Sequence, residues 1–399
     1  MEGYRRPGPA PDTPTRTAAP PPRRPRAANA EDEVNTVTTT GGTPPTRRRS
    51  VSPRRRTAAL SAFAAATALL LSACSTGSGA GTDTATEGAA GSLGTAAIQL
   101  SWLKNQQFAG AYVADDKGYF TDAGFESVEL IAGGSSATSA EAAVTSGQAL
   151  LGISAPLITA PAIESGAEVK IVGALYQKNP FAIVSSAEAP LTGADDLAGT
   201  TIAVSDSNTL VWNAFLAAND LSADDVTTVP LSDTSMLTTG QVDGYLGYST
   251  TGAAALTASG FDADEFLLAD AGLPLIGESI VASQDAIDNN RAGVEGLLEG
   301  LVRGWNDAIA DPELAVDLTV DVYGKDQQYD RDSIALSVDR QAELISTDET
   351  EKNGLLTVSP ELAQSTVDSL ALAGIDISTD ELFDFTLLDD VFEANPELR

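Results

Sequence analysis

The sequence predicts an α/β protein with room for two domains, each built on a mostly parallel sheet flanked by helices, and with a helical C-terminal part. From about residue 95, short runs rich in β-branched residues alternate with stretches of helical periodicity, and strands separated by single helices form parallel βαβ units. The segment 95–399 has the length of two ordinary domains. From Ala286 onward the pattern becomes mostly helical.

The individual elements follow from these two periodicities. The predicted strands lie at 97–100, 128–132, 150–154, 169–175, 182–185, 201–204, 226–230, 244–248 and 279–282. The predicted helices lie at 109–117, 139–146, 160–165, 210–218, 236–240, 251–259, 294–310, 312–323, 333–345 and 360–373.

The N-terminal part contains a segment that is typical of a bacterial lipoprotein signal peptide, over residues 51–73. Arg54 to Arg56 form a positive region, Thr57 to Leu71 form an apolar region of 15 residues, and small residues then lead to Cys74, the only cysteine. A membrane-spanning helix needs about 20 apolar residues. We therefore expect cleavage that leaves a lipidated Cys74, while a buried structural cysteine is the alternative.

The residues on either side of this signal are expected to have no fixed structure. Residues 1–50 are rich in Pro, Arg and Thr without apolar periodicity, which predicts disorder. Because a signal peptide normally begins a chain, we expect these residues to be untranslated, with Val51 as the initiator; a genuine extension is the alternative. Residues 74–94 are a Gly/Ser/Thr/Ala run that predicts a flexible tether after the lipid.

Charge and composition exclude several classes of function. After residue 73 the chain carries 11 basic against 51 acidic residues, a net charge of −40, so nucleic acid is not an expected partner. With one cysteine and no histidine, an internal disulfide and a Cys-His nucleophile are excluded. No metal-ligand spacing, P-loop or nucleophile elbow occurs. We therefore expect no catalytic residues, metal site or cofactor, and a protein that is not an enzyme.

Candidate binding residues lie in the loops after the strands, because ligands of open α/β sheets bind beyond the carboxyl ends of the strands. Trp102 lies among amides and is either a stacking platform or a core residue. The 133–136 loop precedes a helix and is either a site for an anionic or hydrogen-bond-accepting group of a ligand or a plain helix cap. Ser154 offers a hydroxyl near a helix start, Tyr248 ends a strand, and Trp212 is a site or a core residue with equal weight.

Several segments in register resemble one family. They are 102–105, 108–114, 117–125, 133–134, 144–153, 177–181, 240–245, 301–308 and 311–316, beginning with Trp102-Leu103-Lys104-Asn105 and including Gln177-Lys178-Asn179-Pro180-Phe181. Together they cover most of residues 96–373 and resemble the ABC-transporter substrate-binding proteins of the thiamine-pyrimidine-precursor type.

The resemblance implies a two-lobed periplasmic-binding-protein fold of type II that closes on its ligand by hinge motion. Lobe 1 is expected to comprise 95–182, lobe 2 to comprise 183–283, and residues 284–399 to form a helical return that packs mainly on lobe 1. By matching position, the implied ligand-binding residues are Trp102, Asn105, Tyr112, Gly134, Ser135, Ser154, Tyr176, Trp212, Tyr248 and Glu278.

The resemblance also implies a receptor that delivers a small aromatic heterocycle, a thiamine pyrimidine precursor or a flavin, to an ABC permease and its ATPase. Together with the lipidated Cys74, this predicts a monomeric receptor that is anchored to the membrane on its extracytoplasmic face. Aromatic rings would stack on the ligand and amides would bond its edge. The family's pyrimidine synthases consume a histidine, so that chemistry is excluded here. Receptors for sulfonate, taurine or nitrate, or a secreted enzyme or other non-transport protein on the same scaffold, are the alternatives. Ser249 to Gly252 departs from the family pattern.

Overall fold

The computed structural model describes residues 92–399. The predictions for residues 1–50, for the signal peptide at 51–73, for the lipidated Cys74 and for nearly all of the tether therefore lie outside the described residues. The first strand begins at Gly94, the last residue assigned to the tether.

The described part of the chain contains ten strands in two five-stranded sheets. The strands are β1 (Gly94–Gln99), β2 (Phe125–Ile131), β3 (Leu151–Ser154), β4 (Val169–Ala174), β5 (Phe181–Ser186), β6 (Thr201–Val204), β7 (Thr227–Pro230), β8 (Gly244–Tyr248), β9 (Ala263–Leu267) and β10 (Ser279–Ser283). The spatial orders are β2-β1-β3-β10-β4 and β7-β6-β8-β5-β9. Two separate sheets confirm the predicted two-lobed α/β architecture.

Each sheet is mixed, with one reversed strand in the fourth position. In the first sheet β10 runs antiparallel to β3 and β4, and in the second β5 runs antiparallel to β8 and β9. The other neighbouring pairs, β1 with β2 and β3, and β6 with β7 and β8, are parallel. The reversed strands are the first strands after the chain passes from one lobe to the other. The βαβ pattern predicted the parallel strands but not these two entering strands.

The helices of the two lobes follow the strands. They are α1 (Ala109–Asp116), α2 (Tyr119–Asp122), α3 (Ala140–Thr145), α4 (Pro156–Glu164), α5 (Thr209–Ala218), α6 (Ser235–Thr238) and α7 (Gly252–Ala258). Short 3₁₀ helices at Gln106–Phe108 and Asp206–Asn208 lead directly into α1 and α5.

The chain after β10 is helical, as predicted. It forms α8 (Gln284–Asn289), α9 (Arg291–Ala310), α10 (Pro312–Asp317), α11 (Arg331–Ile345), α12 (Asp348–Asn353), α13 (Pro360–Leu372), α14 (Thr379–Leu382) and α15 (Thr386–Ala394). A π-helical segment, Leu318–Tyr323, continues α10, where one α-helix was predicted over 312–323. Most of these helices pack on the first lobe, but α11 also contacts α7 and α13 contacts α5 in the second lobe.

Lobe 1 is held together by the crossing of α9 over α1. Trp305 is fully buried at this crossing, and a Cβ on Gly304 would lie 2.1 Å from the carbonyl oxygen of Gly110. The backbones of the two helices are therefore in contact, and only glycine at position 304 leaves room for this approach. This packing fixes α1 and the loop before it against the C-terminal helices.

Two details of the predicted organisation differ from the structure. Strand β9 was not predicted, because its sequence, Ala-Asp-Glu-Phe-Leu, has too few apolar residues to show a strand period. Strand β10 was assigned to lobe 2 by the boundary at residue 283, but it pairs with β3 and β4 in the first sheet. The second lobe therefore ends before Ser279, because the returning chain enters the first sheet at once.

The two connections between the lobes run side by side. The amide of Asn179 donates to the carbonyl of Leu275 (2.7 Å), and that of Gly277 donates to the carbonyl of Tyr176 (2.9 Å). A Cβ at Gly277 would lie 2.8 Å from Cδ of Pro180, so glycine lets the second connection pass close to the first. The residue that follows, Glu278, is thereby fixed at the junction of the lobes.

Candidate ligand-binding site

A cleft between the lobes collects side chains from the carboxyl ends of β1, β3 and β8. Its volume is about 340 Å³, at the lower end of the range for small-molecule sites, ~300–1,000 Å³. It is lined by Ser101, Trp102, Asn105, Gln107, Ser154, Ala155, Ile158, Tyr248, Thr251 and Glu278.

The loop after β1 carries the aromatic platform. Trp102 is 48 % exposed, and its carbonyl accepts a hydrogen bond from the amide of Gly133 (2.9 Å). A Cβ at Gly133 would lie 2.3 Å from the carbonyl oxygen of Leu100, so glycine is needed where the two loops touch. The backbone of Trp102 is therefore fixed while its indole ring stays available to a ligand.

Amide side chains form the polar edge of this loop. The Asn105 side chain caps the 3₁₀ helix by accepting from the amide of Gln107 (2.9 Å), and its Nδ2 donates to Oε1 of Gln107 (2.9 Å). Both residues are buried at the floor of the cleft. This pair of bonds fixes the orientation of both amides, which is the condition for selective bonding to the edge of a ligand.

Glu278 places a carboxyl group at the centre of the site. It is 7 % exposed, its Oε2 accepts from the hydroxyl of Ser101 (3.0 Å), and its Oε1 accepts a long bond from Nε2 of Gln107 (3.5 Å). Burial raises the pKa of Glu278 to about 7, and the bond from Ser101 opposes this effect. The carboxyl group is therefore poised to be either protonated or charged near neutral pH.

Ser154, the last residue of β3, contributes a hydroxyl whose proton is already used. It donates to Oε1 of Glu141, which also accepts from Thr159 (2.9 Å). Glu141 is itself buried beside the cleft wall. The lone pairs of the Ser154 oxygen are then what a ligand would meet, so this residue can accept a hydrogen bond.

The second lobe supplies a smaller wall, formed by Tyr248 and Thr251. The ring of Tyr248 packs edge-on against Phe181 at a centroid distance of 4.7 Å and an angle of 81°. Burial raises the pKa of Tyr248, so its hydroxyl stays protonated. With Trp102 on the first lobe, this arrangement provides one aromatic group on each side of the cleft.

A charged contact joins the lobes next to this wall. Arg340, on α11, donates to the carbonyl of Ser249 (3.0 Å) and to Oε1 of Glu265 on β9 (2.6 Å). Burial raises the pKa of Glu265 to about 7, while Arg340 lowers it. The bonded carbonyl directly follows Tyr248, so this contact also fixes the end of β8.

Five of the ten predicted site residues line the cleft, namely Trp102, Asn105, Ser154, Tyr248 and Glu278. Whether they contact a ligand stays a prediction. Ser101, Gln107, Ala155, Ile158 and Thr251 also line it but were not predicted as site residues. Their signal was position alone, because each lies within four residues of a predicted one in the segments that follow β1, β3 and β8.

The other predicted residues lie elsewhere. Tyr112 is fully buried because the ring of Tyr323 stacks on it at 4.3 Å. Trp212 is 1 % exposed in the core of lobe 2, where its Nε1 donates to the hydroxyl of Thr228 (2.9 Å). Tyr176 is fully buried in the first connection, and its hydroxyl donates to Oε1 of Gln341 (3.3 Å).

Gly134 and Ser135 lie in the loop after β2 and do not line the cleft. The loop acts through the neighbouring Gly133, which bonds the backbone of Trp102. The helix that follows the loop, α3, begins at Ala140 and is capped by Ser139, whose hydroxyl accepts from the amide of Ala142 (3.2 Å). The plain-cap alternative therefore describes this segment.

Two further features of residues 92–399 bear on function. No helix in this range is both long and apolar enough to cross a membrane. In the same range, no group of three or more Cys, Asp and Glu side chains is arranged to hold a metal ion.

The sequence model of the NMT1/THI5-like family matches residues 105–315. A riboflavin-binding protein, RibY of Chloroflexus aurantiacus, is 30 % identical over 271 residues, which are 63 % of this chain and 74 % of the relative.

Among solved structures, the fold resembles a putative sulfonate-binding periplasmic protein, SsuA of Methylobacillus flagellatus. The TM-score is 0.58 and the identity 14 %, over 77 % of this chain and 96 % of that one. A desulfurization enzyme, DSZB, has a TM-score of 0.50 and 15 % identity, over 75 % of this chain and 99 % of that one. The likeness confirms the two-lobed type II binding-protein fold, and because an enzyme shares it, the fold alone does not give the activity.

The matched model covers more than half of the chain, from the loop that carries Asn105 to α10, and therefore includes the second sheet, every strand of the first sheet except β1, and most of the cleft. The predicted family is thus confirmed: the chain belongs to the NMT1/THI5-like family.

Proposed function

We propose that this protein is an extracytoplasmic solute-binding protein of an ABC importer that captures a small aromatic heterocycle. The observation that carries the proposal is the cleft, which Trp102 lines from one lobe and Tyr248 from the other, together with the fixed amides of Asn105 and Gln107. Rings gain affinity from aromatic faces and selectivity from a few fixed polar groups.

The chemistry of the lining favours a heterocycle over an anion such as sulfonate or nitrate. The side chains that line the cleft include one carboxyl group and no lysine or arginine. An anion would have to be buried without a compensating positive charge, which is costly. A pyrimidine or a flavin presents flat apolar faces and polar edges, and therefore matches the lining better. The riboflavin-binding relative supports the same class of ligand.

A thermal-shift panel tests this proposal, because a ligand that binds only the folded state raises the melting temperature. The panel contains hydroxymethylpyrimidine, formylaminopyrimidine, riboflavin, taurine and nitrate. We expect at least one ring compound to raise the melting temperature and the two anion-bearing compounds to leave it unchanged. A shift with taurine or nitrate alone would overturn the proposal in favour of an anion receptor, and turnover of a bound compound would favour an enzyme.

Trp102→Ala and Leu103→Ala form a matched pair for the same measurement. Both side chains are exposed neighbours in one loop, but only Trp102 lines the cleft. Losing an aromatic stacking partner costs about 1.4 kcal/mol or more, equal to at least tenfold in affinity. We therefore expect Trp102→Ala to weaken ring binding at least tenfold and Leu103→Ala to leave it unchanged. Equal affinity in both variants would place the ligand elsewhere.

We also propose that Cys74 is lipidated, that the following residues are a tether, and that the receptor works as a monomer at the membrane beside its permease and ATPase. The support is the basic and apolar leader that precedes the only cysteine. In cell fractionation, the wild-type protein should appear with the membranes and Cys74→Ser in the soluble fraction. A wild-type protein that is found only in the soluble fraction would contradict the anchor.

A further inference from the structure

The cleft contains a buried acidic group that has no positive partner. Glu278 forms no ion pair within residues 92–399, and its recorded side-chain partners are the neutral Ser101 and Gln107. Burial and the nearby Glu278 raise the pKa of Tyr176 and of Tyr248, so both hydroxyl groups are neutral as well. A buried carboxylate is costly unless hydrogen-bond donors or a positive charge satisfy it.

Two other carboxyl groups near the cleft bond to partners within the protein. Glu141 is buried and accepts from the hydroxyls of Ser154 and Thr159, and Glu265 is partly buried. Glu265 has a pKa raised to about 7 by burial, as Glu278 does, but its Oε1 accepts from the guanidinium of Arg340 (2.6 Å). Glu265 does not line the cleft. Glu141 does not line it either, so Glu278 provides the one carboxyl group among the residues that line the cleft.

The geometry leaves part of the Glu278 carboxyl group free for a ligand. A carboxylate has about four acceptor positions, and the protein fills one well, from Ser101 at 3.0 Å, and one poorly, from Gln107 at 3.5 Å. Both donors come from the segment between β1 and α1, which also carries Trp102. Because Trp102 and Glu278 line the same cleft, a ring stacked on Trp102 would share the cleft with the remaining acceptor positions.

We propose that Glu278 selects, among ring ligands, those that present N–H donors at the ring edge, and that it rejects anionic ligands. This inference rests on the proposed function and narrows its ligand class to uncharged or cationic nitrogen heterocycles with an exposed N–H group. A ring N–H or an exocyclic amine satisfies the carboxyl group, and two adjacent donors satisfy it in a bidentate manner. An anion meets a like charge with no cation to offset it.

A matched pair of ring compounds tests the selection without any mutation. The probes are 4-aminopyrimidine and 4-methylpyrimidine, which have the same ring and similar size but differ in the N–H donor. We expect calorimetry at pH 7.5 to show at least tenfold tighter binding of the amino compound. Equal affinity of the two compounds would overturn the inference while leaving the proposed function intact, whereas binding of neither, nor of any ring compound in the panel, would overturn the proposed function.

Glu278→Gln, with Glu265→Gln as its control, then assigns the effect to this residue. Glutamine keeps the size of the side chain and an oxygen that can accept from Ser101. We expect Glu278→Gln to reduce the ratio of the affinities for 4-aminopyrimidine and 4-methylpyrimidine at least fivefold. We also expect it to bind ethanesulfonate more tightly than the wild type does. Glu265→Gln should keep the wild-type ratio. An unchanged ratio in Glu278→Gln would overturn the assignment, and the wild-type ratio remains a test if this variant does not fold.

Discussion

The two lobes have sheets of the same order, with the reversed strand in the fourth position of each, yet they contribute unequally to the cleft. Lobe 1 and the connection that enters it provide eight of the ten lining residues, and lobe 2 provides Tyr248 and Thr251. Equivalent strands end at equivalent places, since Ser154 ends β3 and Tyr248 ends β8. The inequality therefore comes from something other than the topology.

The difference lies in the loop after the first strand of each βαβ series. In lobe 1, residues 100–105 separate β1 from the 3₁₀ helix before α1, and this length projects Trp102 into the cleft. In lobe 2, only Ser205 separates β6 from the corresponding 3₁₀ helix, and the tryptophan of that segment comes later, inside α5. Loop length on a shared scaffold thus decides which lobe supplies most of the cleft lining.

The strongest test of this comparison is the pair Trp212→Ala and Trp102→Ala. Trp212 is fully buried with its indole N–H bonded to Thr228, and a buried tryptophan replaced by alanine costs about 3–5 kcal/mol. We expect Trp212→Ala to lose that much free energy of unfolding in urea titrations, and Trp102→Ala to change it by less than about 0.5 kcal/mol. Ligand affinity should instead fall in Trp102→Ala and remain unchanged in Trp212→Ala. A large stability loss in Trp102→Ala would place this residue in the core.

The sequence predicted the lobes well because strand and helix periodicities are properties of neighbouring residues. It did not distinguish Trp102 from Trp212, since both follow strands near a helix start, and only tertiary packing decides which ring is covered. Tyr112 was expected at the ligand from the family resemblance, but Tyr323, more than 200 positions away in the sequence, lies on its ring. Glu278 was correctly placed at the cleft by the family resemblance, while the missing cation around it became visible only in three dimensions.

The pH dependence of the free energy of unfolding reports on the buried carboxyl group of Glu278. Burial raises the pKa of Glu278 to about 7, whereas the pKa of a glutamate in an unfolded chain is about 4.3. The folded state therefore binds the proton more tightly, and this stabilisation is complete below pH ~4.3 and lost as the pH rises through about 7.

We expect this loss to reach about 3 kcal/mol for Glu278. Urea unfolding at two values, pH 4.5 and pH 7.5, measures it in the wild type and in Glu278→Gln, which should show the smaller decrease. The carboxyl group of Glu265 remains in both proteins, so the difference belongs to Glu278. Identical decreases would mean that Glu278 titrates normally in the folded protein.

Arg340→Met tests the contact that joins the two lobes. The guanidinium bonds Glu265 and the carbonyl of Ser249, both in lobe 2, from a helix that packs on lobe 1. Both side chains are partly buried, so we expect a loss of about 1–2 kcal/mol in the free energy of unfolding. The control is Arg331→Met on the same helix, whose pairs with Asp317 and Asp321 are half exposed and lie outside lobe 2. Such exposed pairs contribute less than about 1 kcal/mol, and equal losses in the two variants would show that Arg340 has no special role between the lobes.

Tyr248→Phe has the smallest expected effect. It tests whether lobe 2 bonds the ligand through the Tyr248 hydroxyl or only covers it. The ring packs against Phe181 at 4.7 Å, and phenylalanine preserves that contact while removing only the hydroxyl group. If lobe 2 covers the ligand but lobe 1 recognises it, ring affinity should change by less than about threefold, or about 0.6 kcal/mol. Calorimetry with the tightest ring compound measures this change, with Tyr248→Ala as the variant that also removes the surface and should bind about tenfold more weakly. A loss in Tyr248→Phe as large as that in Tyr248→Ala would mean that the hydroxyl bonds the ligand, and that both lobes recognise it.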